Sequence, residues 1–188
     1  MRMKSSKSEF FEWIRALVIA LIVALVVRYF FFSPIVVDGP SMEPTLEDRD
    51  RMIVNKFVYH LREPERFEII VFHASEQSDY IKRVIGLPGE HVAYEDNTLY
   101  IDGEEVKEPY KERLENDEAY YMETEPFMLE VLPGEYKKIP EGYVLVLGDN
   151  RNNSTDSRRF GLVDIDSIVG KVSMTYWPLN RIQFMKDG

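Results

Sequence analysis

Residues Asp79–Glu90, DYIKRVIGLPGE, carry a lysine inside a run of residues that favours a β-strand. Successive side chains of a strand point to opposite faces, so Lys82 shares one face with Tyr80 and Val84. The Leu-Pro-Gly that follows ends the strand sharply, because proline has no N–H to donate and glycine accepts turn conformations. The stretch therefore predicts a strand that places a lysine among apolar neighbours.

Similar strand patterns recur along the rest of the chain. They lie at 35–37, 51–55, 67–72, 80–85, 92–95, 98–102, 143–147 and 168–176. Asp96-Asn97 and Asp102-Gly103 supply turn signals between neighbouring strands. The segment at about 104–138 is rich in charge and weak in periodicity, which predicts a loop-rich insertion. The predicted fold class is mostly β, an antiparallel β-sheet domain over 33–188 preceded by a single N-terminal transmembrane helix.

The N-terminal region contains an unbroken apolar run from Ala16 to Val27. With its aromatic flanks it predicts a transmembrane signal-anchor helix at 13–32, because about 20 apolar residues are needed to cross a bilayer core. Two alternatives are a cleavable secretory signal and a buried core helix. Bulky Tyr29–Phe32 offers no cleavage site of small residues, and an all-round apolar helix fits poorly in so small a domain.

Charge is unevenly distributed between the two ends. Residues 1–32 contain five basic and two acidic side chains, a net charge of +3, whereas the whole chain carries −10. Because basic residues favour the inner side of a membrane, 1–12 is predicted to be cytoplasmic and 33–188 extracytoplasmic. The expected location is the cytoplasmic membrane, with the lipid bilayer as a partner. The acidic remainder argues against nucleic acid binding, which needs a basic face.

Composition excludes several kinds of chemistry. The chain contains no cysteine, which rules out disulfides, a cysteine nucleophile and thiolate metal sites. The three histidines, His60, His73 and His91, show no spacing typical of metal ligands. We therefore predict no metal and no cofactor.

An isolated serine stands in the sequence Gly39-Pro40-Ser41-Met42, where proline presets the backbone and glycine admits close approach of another chain. A serine attacks a carbonyl only if a base removes its proton. Burial lowers the pKa of a lysine and lets it act as that base. Ser41 and Lys82 together therefore point to a Ser–Lys hydrolase. Each alone has an ordinary alternative, a turn beyond the helix for Ser41 and a solvated edge-strand lysine for Lys82.

A polar stretch, Gly148–Gly161, GDNRNNSTDSRRFG, follows an apolar strand. Polar loops at strand ends are usual places for a functional site. Local Asx turns would explain its asparagines and aspartates but not the arginines among them. The candidate ion pairs are those of Asp149 and Asp156 with Arg83, Arg151 or Arg158.

Taken together, these segments resemble the type I signal peptidases, the bacterial leader peptidases. The resemblance rests on the order and spacing of the membrane anchor, SMEPTL at Ser41–Leu46, YIKRVIGLPG at Tyr80–Gly89 and the polar loop Gly148–Gly161. The single anchor and the short insertion resemble the compact form found in Gram-positive bacteria. The resemblance implies a membrane-bound serine endopeptidase that removes signal peptides from exported preproteins. It also implies a mostly antiparallel β catalytic domain with an apolar face on the membrane.

The resemblance gives each matching residue an expected role. Ser41 is expected to be the nucleophile, with its backbone N–H binding the oxyanion, and Lys82 the general base. Ser154 is expected to hydrogen-bond and orient the lysine. Gly39 stands where some members carry a serine that supplies a second oxyanion donor, so here that donor must come from elsewhere. The residues expected to support the site through ion pairs are Asp149, Asp156 and Arg158, with Arg83 as a pairing partner.

The substrate is expected to bind in an extended form along strand edges. The resemblance implies a preference for small residues one and three positions before the cut. The predicted substrate-binding residues, which neighbour the two reactive side chains, are Gly39, Pro40, Met42 and Ile81.

Two rival interpretations are a Ser–His–Asp hydrolase and a non-catalytic membrane-tethered binding domain. The first lacks a Gly-x-Ser-x-Gly elbow, and none of its candidate histidines sits in a polar loop typical of a site. The second leaves the joint presence of Ser41 and Lys82 unexplained.

Overall fold

The computed structural model describes residues 6–75, 77–114 and 123–185. Its helices and strands, in chain order, are α1 (Ser6–Phe31), β1 (Phe32–Val36), β2 (Arg51–Asn55), β3 (Ile69–Ser75), β4 (Ser78–Gly86), β5 (Val92–Glu95), β6 (Thr98–Ile101), β7 (Glu104–Val106), α2 (Pro109–Leu114), β8 (Phe127–Met128), β9 (Tyr143–Leu147), α3 (Ser157–Phe160), β10 (Val163–Asp164), β11 (Ile168–Trp177) and β12 (Gln183–Phe184). The strands form two sheets in which all pairs are antiparallel. The predicted antiparallel β fold is therefore confirmed.

The larger sheet has eight strands in the order β1-β2-β11-β3-β4-β9-β10, with β12 paired to β11. The lysine strand β4 lies inside this sheet. It pairs with β3, where Lys82 lies opposite Ile70, and its last residues pair with β9, where Arg83 lies opposite Leu147. Residues 79–82 have β3 on one side and, among the described strands, none on the other. One backbone edge of β4 is therefore open at the lysine.

The smaller sheet has four strands in the order β7-β6-β5-β8. The β5–β6 hairpin turns at Asp96 and Asn97, whose φ angles of 47° and 61° are left-handed. Asp and Asn tolerate that region better than most residues, which is why this pair makes a two-residue turn. The predicted turn is confirmed. A buried apolar cluster joins the two sheets, with members that include Ile85, Tyr94, Leu99, Leu145 and Leu147.

The eight predicted strands are all present. Three of them, at 51–55, 92–95 and 143–147, have the predicted ends, and the other five have altered ends. The third was predicted at 67–72 and is found as β3, Ile69–Ser75. The reason is Phe67, whose φ of 71° is incompatible with a strand, while β3 continues into its hairpin with β4. The short strands β7, β8, β10 and β12 were not predicted, because two or three residues are too few to show alternation. The region at 104–138 contains β7, α2 and β8, and its residues 115–122 lie outside the described residues.

The N-terminal helix is present as α1, which has 26 residues. The side chains described for it, those of residues 10–25, are all exposed. In the described parts of the chain, no helix combines the length and the apolar content needed to cross a membrane. The predicted transmembrane span at 13–32 is therefore not confirmed, and its side chains from residue 26 onward lie outside the described residues.

Candidate active site

Ser41 lies between β1 and β2 in a segment that we call the Ser41 loop, Val37–Asp50. The loop is closed at its neck, where the Val37 N–H donates to the Asp50 carbonyl at 2.8 Å. The side chain of Met42 is buried in an apolar cluster beneath the loop. Backbone closure and an apolar anchor together hold Ser41 in one place relative to the larger sheet.

Lys82 reaches Ser41 from the neighbouring strand β4. Its Nζ lies 2.8 Å from Ser41 Oγ and 2.9 Å from the Ile81 carbonyl oxygen. The ammonium form donates to both, whereas the neutral amine can accept the proton of the Ser41 hydroxyl. The lysine is only 3% exposed, and its Nζ lies 5.2 Å from the centroid of the Tyr80 ring. The amine is thus within reach of the hydroxyl proton, as a general base must be.

The surroundings of Lys82 disfavour its charged form. Burial lowers the pKa of Lys82 to about 8, although the nearby carboxylates of Asp156 and Asp149 oppose the shift. A lysine with that pKa is neutral in about one molecule in ten at pH 7, compared with about one in 2,500 for a solvated lysine. The site therefore supplies a usable fraction of neutral amine near neutral pH.

The polar loop meets the Ser41 loop at Gly148, where no side chain fits. A Cβ at Gly148 would lie 2.2 Å from Ser154 Oγ and 2.5 Å from the Ser41 carbonyl oxygen. The Asn150 N–H donates to that same carbonyl at 3.1 Å, and the Asn150 side-chain amide donates to the Pro40 carbonyl at 3.1 Å. The Ser41 backbone is therefore held from a second side, by an asparagine that the sequence analysis did not single out.

Ser154 lines the same cleft as Ser41 and Lys82 but makes no hydrogen bond to the lysine. Its hydroxyl oxygen is buried and has no hydrogen-bond partner of acceptable geometry among the described residues. The hydroxyl is nevertheless close to Asp156. Against the effect of burial, Arg158 and, to a smaller extent, Ser154 hold the pKa of Asp156 below its ordinary value. The orienting role of Ser154 stays a prediction.

Asp149 forms a two-point ion pair with Arg83. The Nε–Oδ1 distance is 2.8 Å and the Nη2–Oδ2 distance is 2.5 Å, while Arg83 Nη1 donates to the Phe67 carbonyl at 2.8 Å. Both side chains are almost excluded from water, with 4% of Arg83 and 0% of Asp149 exposed. Because Arg83 directly follows Lys82 on β4, this pair fixes the polar loop to the lysine strand.

Asp156 forms the second predicted ion pair, with Arg158. Both contacts, Nε–Oδ1 and Nη2–Oδ2, measure 2.8 Å. The same carboxylate accepts the Gly148 N–H at 3.0 Å and the Arg158 N–H at the start of α3. Asp156 therefore closes the polar loop on itself and keeps Gly148 against the Ser41 loop. Each aspartate therefore pairs with one of the three arginines that the sequence analysis named as candidates.

Arg151 pairs with neither aspartate. Its buried guanidinium donates to the Gly148 carbonyl at 3.1 Å and extends into the smaller sheet. Its other partners there are Tyr94 Oη at 2.9 Å, Thr124 Oγ1 at 2.8 Å, Glu108 Oε1 at 3.0 Å and Tyr110 Oη. Although burial opposes the shift, Arg151 and Lys111 lower the pKa of Glu108 to about 2. The sequence analysis missed this network, because only Arg151 belongs to a recognisable motif.

A cleft of about 490 Å³ opens beside the two reactive side chains. Residues 35–42 form one wall, the open edge of β4 at 79–82 forms another, and residues 152–155 contribute a third. The predicted substrate-binding residues Gly39, Pro40, Met42 and Ile81 all line it. Met42 is only 1% exposed, so it belongs to the floor of the cleft.

Two of the histidines make polar contacts away from Ser41, and the third, His60, stacks on Phe57. His73 Nδ1 lies 2.6 Å from Asp79 Oδ1, and His91 Nε2 lies 3.0 Å from Glu130 Oε2. Among the described contacts, the side chain that hydrogen-bonds Ser41 Oγ is that of Lys82. Nothing in this arrangement favours the Ser–His–Asp alternative. In the described part of the chain, no group of three or more possible ligand residues could hold a metal ion.

Comparison with known proteins gives consistent matches over most of the chain. A family model described as "Signal peptidase, peptidase S26" matches residues 10–177. Signal peptidase IB of Staphylococcus aureus (strain MRSA252) is 42% identical over 182 residues, covering 95% of each chain. Signal peptidase I of Bacillus caldolyticus is 46% identical over 166 residues, covering 88% of this chain and 91% of its own.

A solved structure is also similar. The crystal structure of a signal peptidase I from Enterococcus faecalis V583 superposes with a TM-score of 0.52 at 42% sequence identity. The superposition covers 58% of this chain and 97% of that chain.

Proposed function

The chain belongs to the type I signal peptidases of peptidase family S26, and we propose that it removes signal peptides from exported preproteins with a Ser41–Lys82 dyad. The observation that carries the dyad is the 2.8 Å contact between Lys82 Nζ and Ser41 Oγ. The burial of Lys82, which brings its pKa to about 8, supports the role of general base. Two ion pairs keep the two reactive side chains at this distance, that of Asp149 with Arg83 and that of Asp156 with Arg158.

The chemical steps follow from the two side chains. Neutral Lys82 takes the proton of the Ser41 hydroxyl as Oγ attacks the scissile carbonyl. The resulting ammonium then gives that proton to the leaving amine, so the mature protein departs and the signal peptide remains as an ester on Ser41. Water, deprotonated by Lys82, hydrolyses the ester and restores the free enzyme.

The oxyanion is bound first by the Ser41 backbone N–H. The Gly39 N–H cannot be the second donor in this arrangement, because it already donates to Asp48 Oδ1 at 3.0 Å. A Cβ at Gly39 would meet no atom within 4 Å, so the space that a serine side chain would occupy is open. We assign the second donor to a water molecule in that space, which can bridge polar groups nearly as well as a direct bond.

The substrate binds in an extended form between residues 35–40 and the open edge of β4. Backbone groups of residues 79–82 that face the open edge can pair with a substrate backbone as an added strand, and the Ile81 carbonyl already accepts from Lys82 Nζ. Substrate side chains that point into the cleft would meet Ile81 and the floor at Met42. The preference for small side chains one and three positions before the cut is what the family resemblance implies.

Membrane association is a separate part of the proposal, and it rests on α1. Large apolar side chains along this helix are exposed to between 43% and 77%, among them Phe10, Trp13, Leu17 and Leu25. So much exposed apolar surface on one element marks a membrane or protein contact. We propose that α1 is the signal-anchor at 13–32, with 1–12 in the cytoplasm and 33–188 outside.

The test is cleavage of a purified preprotein by the full chain in detergent, followed by mass spectrometry of the products. Ser41→Ala should reduce turnover by about 10³-fold or more, as loss of a nucleophile does in other serine hydrolases. Ser167→Ala removes a hydroxyl from another part of the molecule and should leave turnover unchanged. Substantial cleavage by Ser41→Ala would refute the proposal.

A further inference from the structure

The C-terminal end of the described chain contacts the Ser41 loop. Residues Pro178–Met185, which we call the C-terminal strap, follow β11 and return alongside it. The strap contains a 3-10 turn at Leu179–Arg181, and its strand β12 pairs back onto β11. The match to the family model ends at Trp177, just before the strap.

Polar contacts tie the strap to the returning half of the Ser41 loop. Arg181 forms an ion pair with Glu47 through Nη1 and another with Asp50 through Nη2, the latter at 3.2 Å. The side-chain amide of Gln183 donates to the Thr45 carbonyl at 2.9 Å. The strap therefore holds the loop at several points between residues 45 and 50.

Asp50 is where these contacts affect the shape of the loop. It is 1% exposed, its carbonyl accepts the Val37 N–H that closes the neck, and its Oδ2 accepts the Glu47 N–H at 3.0 Å. Among the described residues, the cation in ion-pair distance of this carboxylate is Arg181. Without Arg181, a buried carboxylate at the neck would lose its countercharge, which costs far more than losing a surface ion pair.

The strap makes few apolar contacts with the rest of the protein. A cavity of about 370 Å³ lies between it and the sheet, and the side chains of Leu179, Ile182 and Phe184 are at least half exposed. Met185 is the residue of the strap that packs, partly buried, against the apolar cluster that contains Met42. The ion pairs of Arg181 and the hydrogen bond of Gln183 therefore provide most of the contact between the strap and the Ser41 loop.

We propose that the C-terminal strap sets the position of Ser41 and that Arg181 is a positioning residue for the reaction. The inference rests on the proposed role of Ser41 as nucleophile. Arg181 neutralises Asp50, Asp50 closes the neck of the loop, and the closed loop holds Ser41 Oγ at 2.8 Å from Lys82 Nζ. Attack depends steeply on this alignment, whereas substrate binding is shared among many residues of the cleft.

The experiment compares Arg181→Met with a matched variant, Arg62→Met, in the preprotein cleavage assay with the full chain. Arg62 also pairs with a buried carboxylate, that of Glu68, whose other partners are Tyr59 and Lys171 rather than the Ser41 loop. Arg62→Met removes one cation from a buried carboxylate away from the loop, but Glu68 keeps Lys171, so kcat is compared with the measured loss of stability of each variant. Thermal unfolding is measured for every variant.

Arg181→Met should lower kcat by about 10- to 100-fold, the size of effect that a small misplacement of reacting groups produces. KM should change much less, Arg181→Lys should restore most of kcat, and Arg62→Met should keep kcat near that of the unchanged protein. The inference would be overturned by a normal kcat in Arg181→Met, or by an equal loss of kcat in Arg62→Met at equal destabilisation. Neither result would affect the proposed function. Turnover by Ser41→Ala in the same assay would overturn the proposed function and this inference with it.

Discussion

Lys82 can serve as a base because burial makes its charged form less favourable than that of a solvated lysine. Its direct contacts are a serine hydroxyl, a carbonyl oxygen and an aromatic ring, none of which carries a negative charge. The two nearest aspartates each bind an arginine through two hydrogen bonds, so much of their field at Lys82 is cancelled. The neighbouring ion pairs therefore hold the site together and only weakly favour the charged form of Lys82.

The predicted role of Ser154, to orient Lys82, can be tested directly. Its hydroxyl is buried beside the dyad and lacks a hydrogen-bond partner among the described residues. Because this hydroxyl has no partner of acceptable geometry there, Ser154→Ala should change the temperature of unfolding little. If the hydroxyl rotates to orient Lys82 during the reaction, kcat should fall by about tenfold or more while KM changes little.

The control for this substitution is Ser167→Ala, which removes the hydroxyl of a half-buried serine that donates to the Asp164 carbonyl. An unchanged kcat in Ser154→Ala would mean that the hydroxyl has no part in positioning the lysine. Normal activity in both variants would leave the dyad intact and remove Ser154 from the site.

At the scale of elements, the site depends on three segments that are distant in sequence. β4 brings Lys82, the Ser41 loop brings the nucleophile, and the polar loop after β9 fixes the two through Gly148 and Asn150. Arg151 extends this arrangement to the smaller sheet, because one guanidinium bonds both the Gly148 carbonyl and Glu108. Glu108 and Thr124, two residues of the region at 104–138, therefore support the polar loop through Arg151.

Glu108→Gln tests this support. The folded-state pKa of Glu108, about 2, lies below that of the unfolded chain, so its contribution to stability is present above pH 4.5 and lost as the pH falls towards 2. A shift of that size corresponds to about 3 kcal/mol. Glu108→Gln should lower the free energy of unfolding at pH 7 by about that amount and flatten its dependence on pH between 4.5 and 2.

Denaturant unfolding in detergent across this pH range provides the measurement. Glu105→Gln, an exposed glutamate on β7, is the matched control and should behave as the unchanged protein does. Equal stability of the Glu108 and Glu105 variants at pH 7 would show that the network contributes nothing to holding the two sheets together.

The elements that could be predicted are those with local signals. Alternation located the strands, and Asp96-Asn97 located a hairpin, because both depend on neighbouring residues. The position of β11 between β2 and β3 depends on contacts across most of the chain, which no local pattern encodes. Arg151 was missed for the same reason, since Tyr94 and Glu108 lie 57 and 43 residues away from it.

At the scale of the whole molecule, the chain combines a two-sheet body with an exposed apolar helix. The strands bury their apolar side chains between and beside the sheets, whereas α1 leaves those of residues 10–25 uncovered. Burying such side chains yields about 1.5–3 kcal/mol each, so a long exposed row of them has a strong tendency to find an apolar environment. The proposed environment is the bilayer.

Two outcomes are expected if α1 anchors the protein. N-terminal sequencing of protein extracted from membranes should find residues 1–32 still attached, because Tyr29–Phe32 offers no cleavage site. Replacing Leu17 and Ile22 by lysine, at about 2.5–3.5 kcal/mol each, should release the protein without detergent. Leu61→Lys, at an exposed position of the body, should not. A mature chain that begins near residue 33 would contradict the anchor.

The central claim is that neutral Lys82 deprotonates Ser41, and the dependence of kcat/KM on pH tests it most directly. The acid limb of that profile reports the base of the free enzyme, so its midpoint should lie near pH 8, the pKa of Lys82. The limb should remain when His60, His73 and His91 are all replaced, and Lys82→Met, similar in shape but unable to accept a proton, should be inactive. An acid limb that disappears with a histidine, or activity in Lys82→Met, would contradict the account.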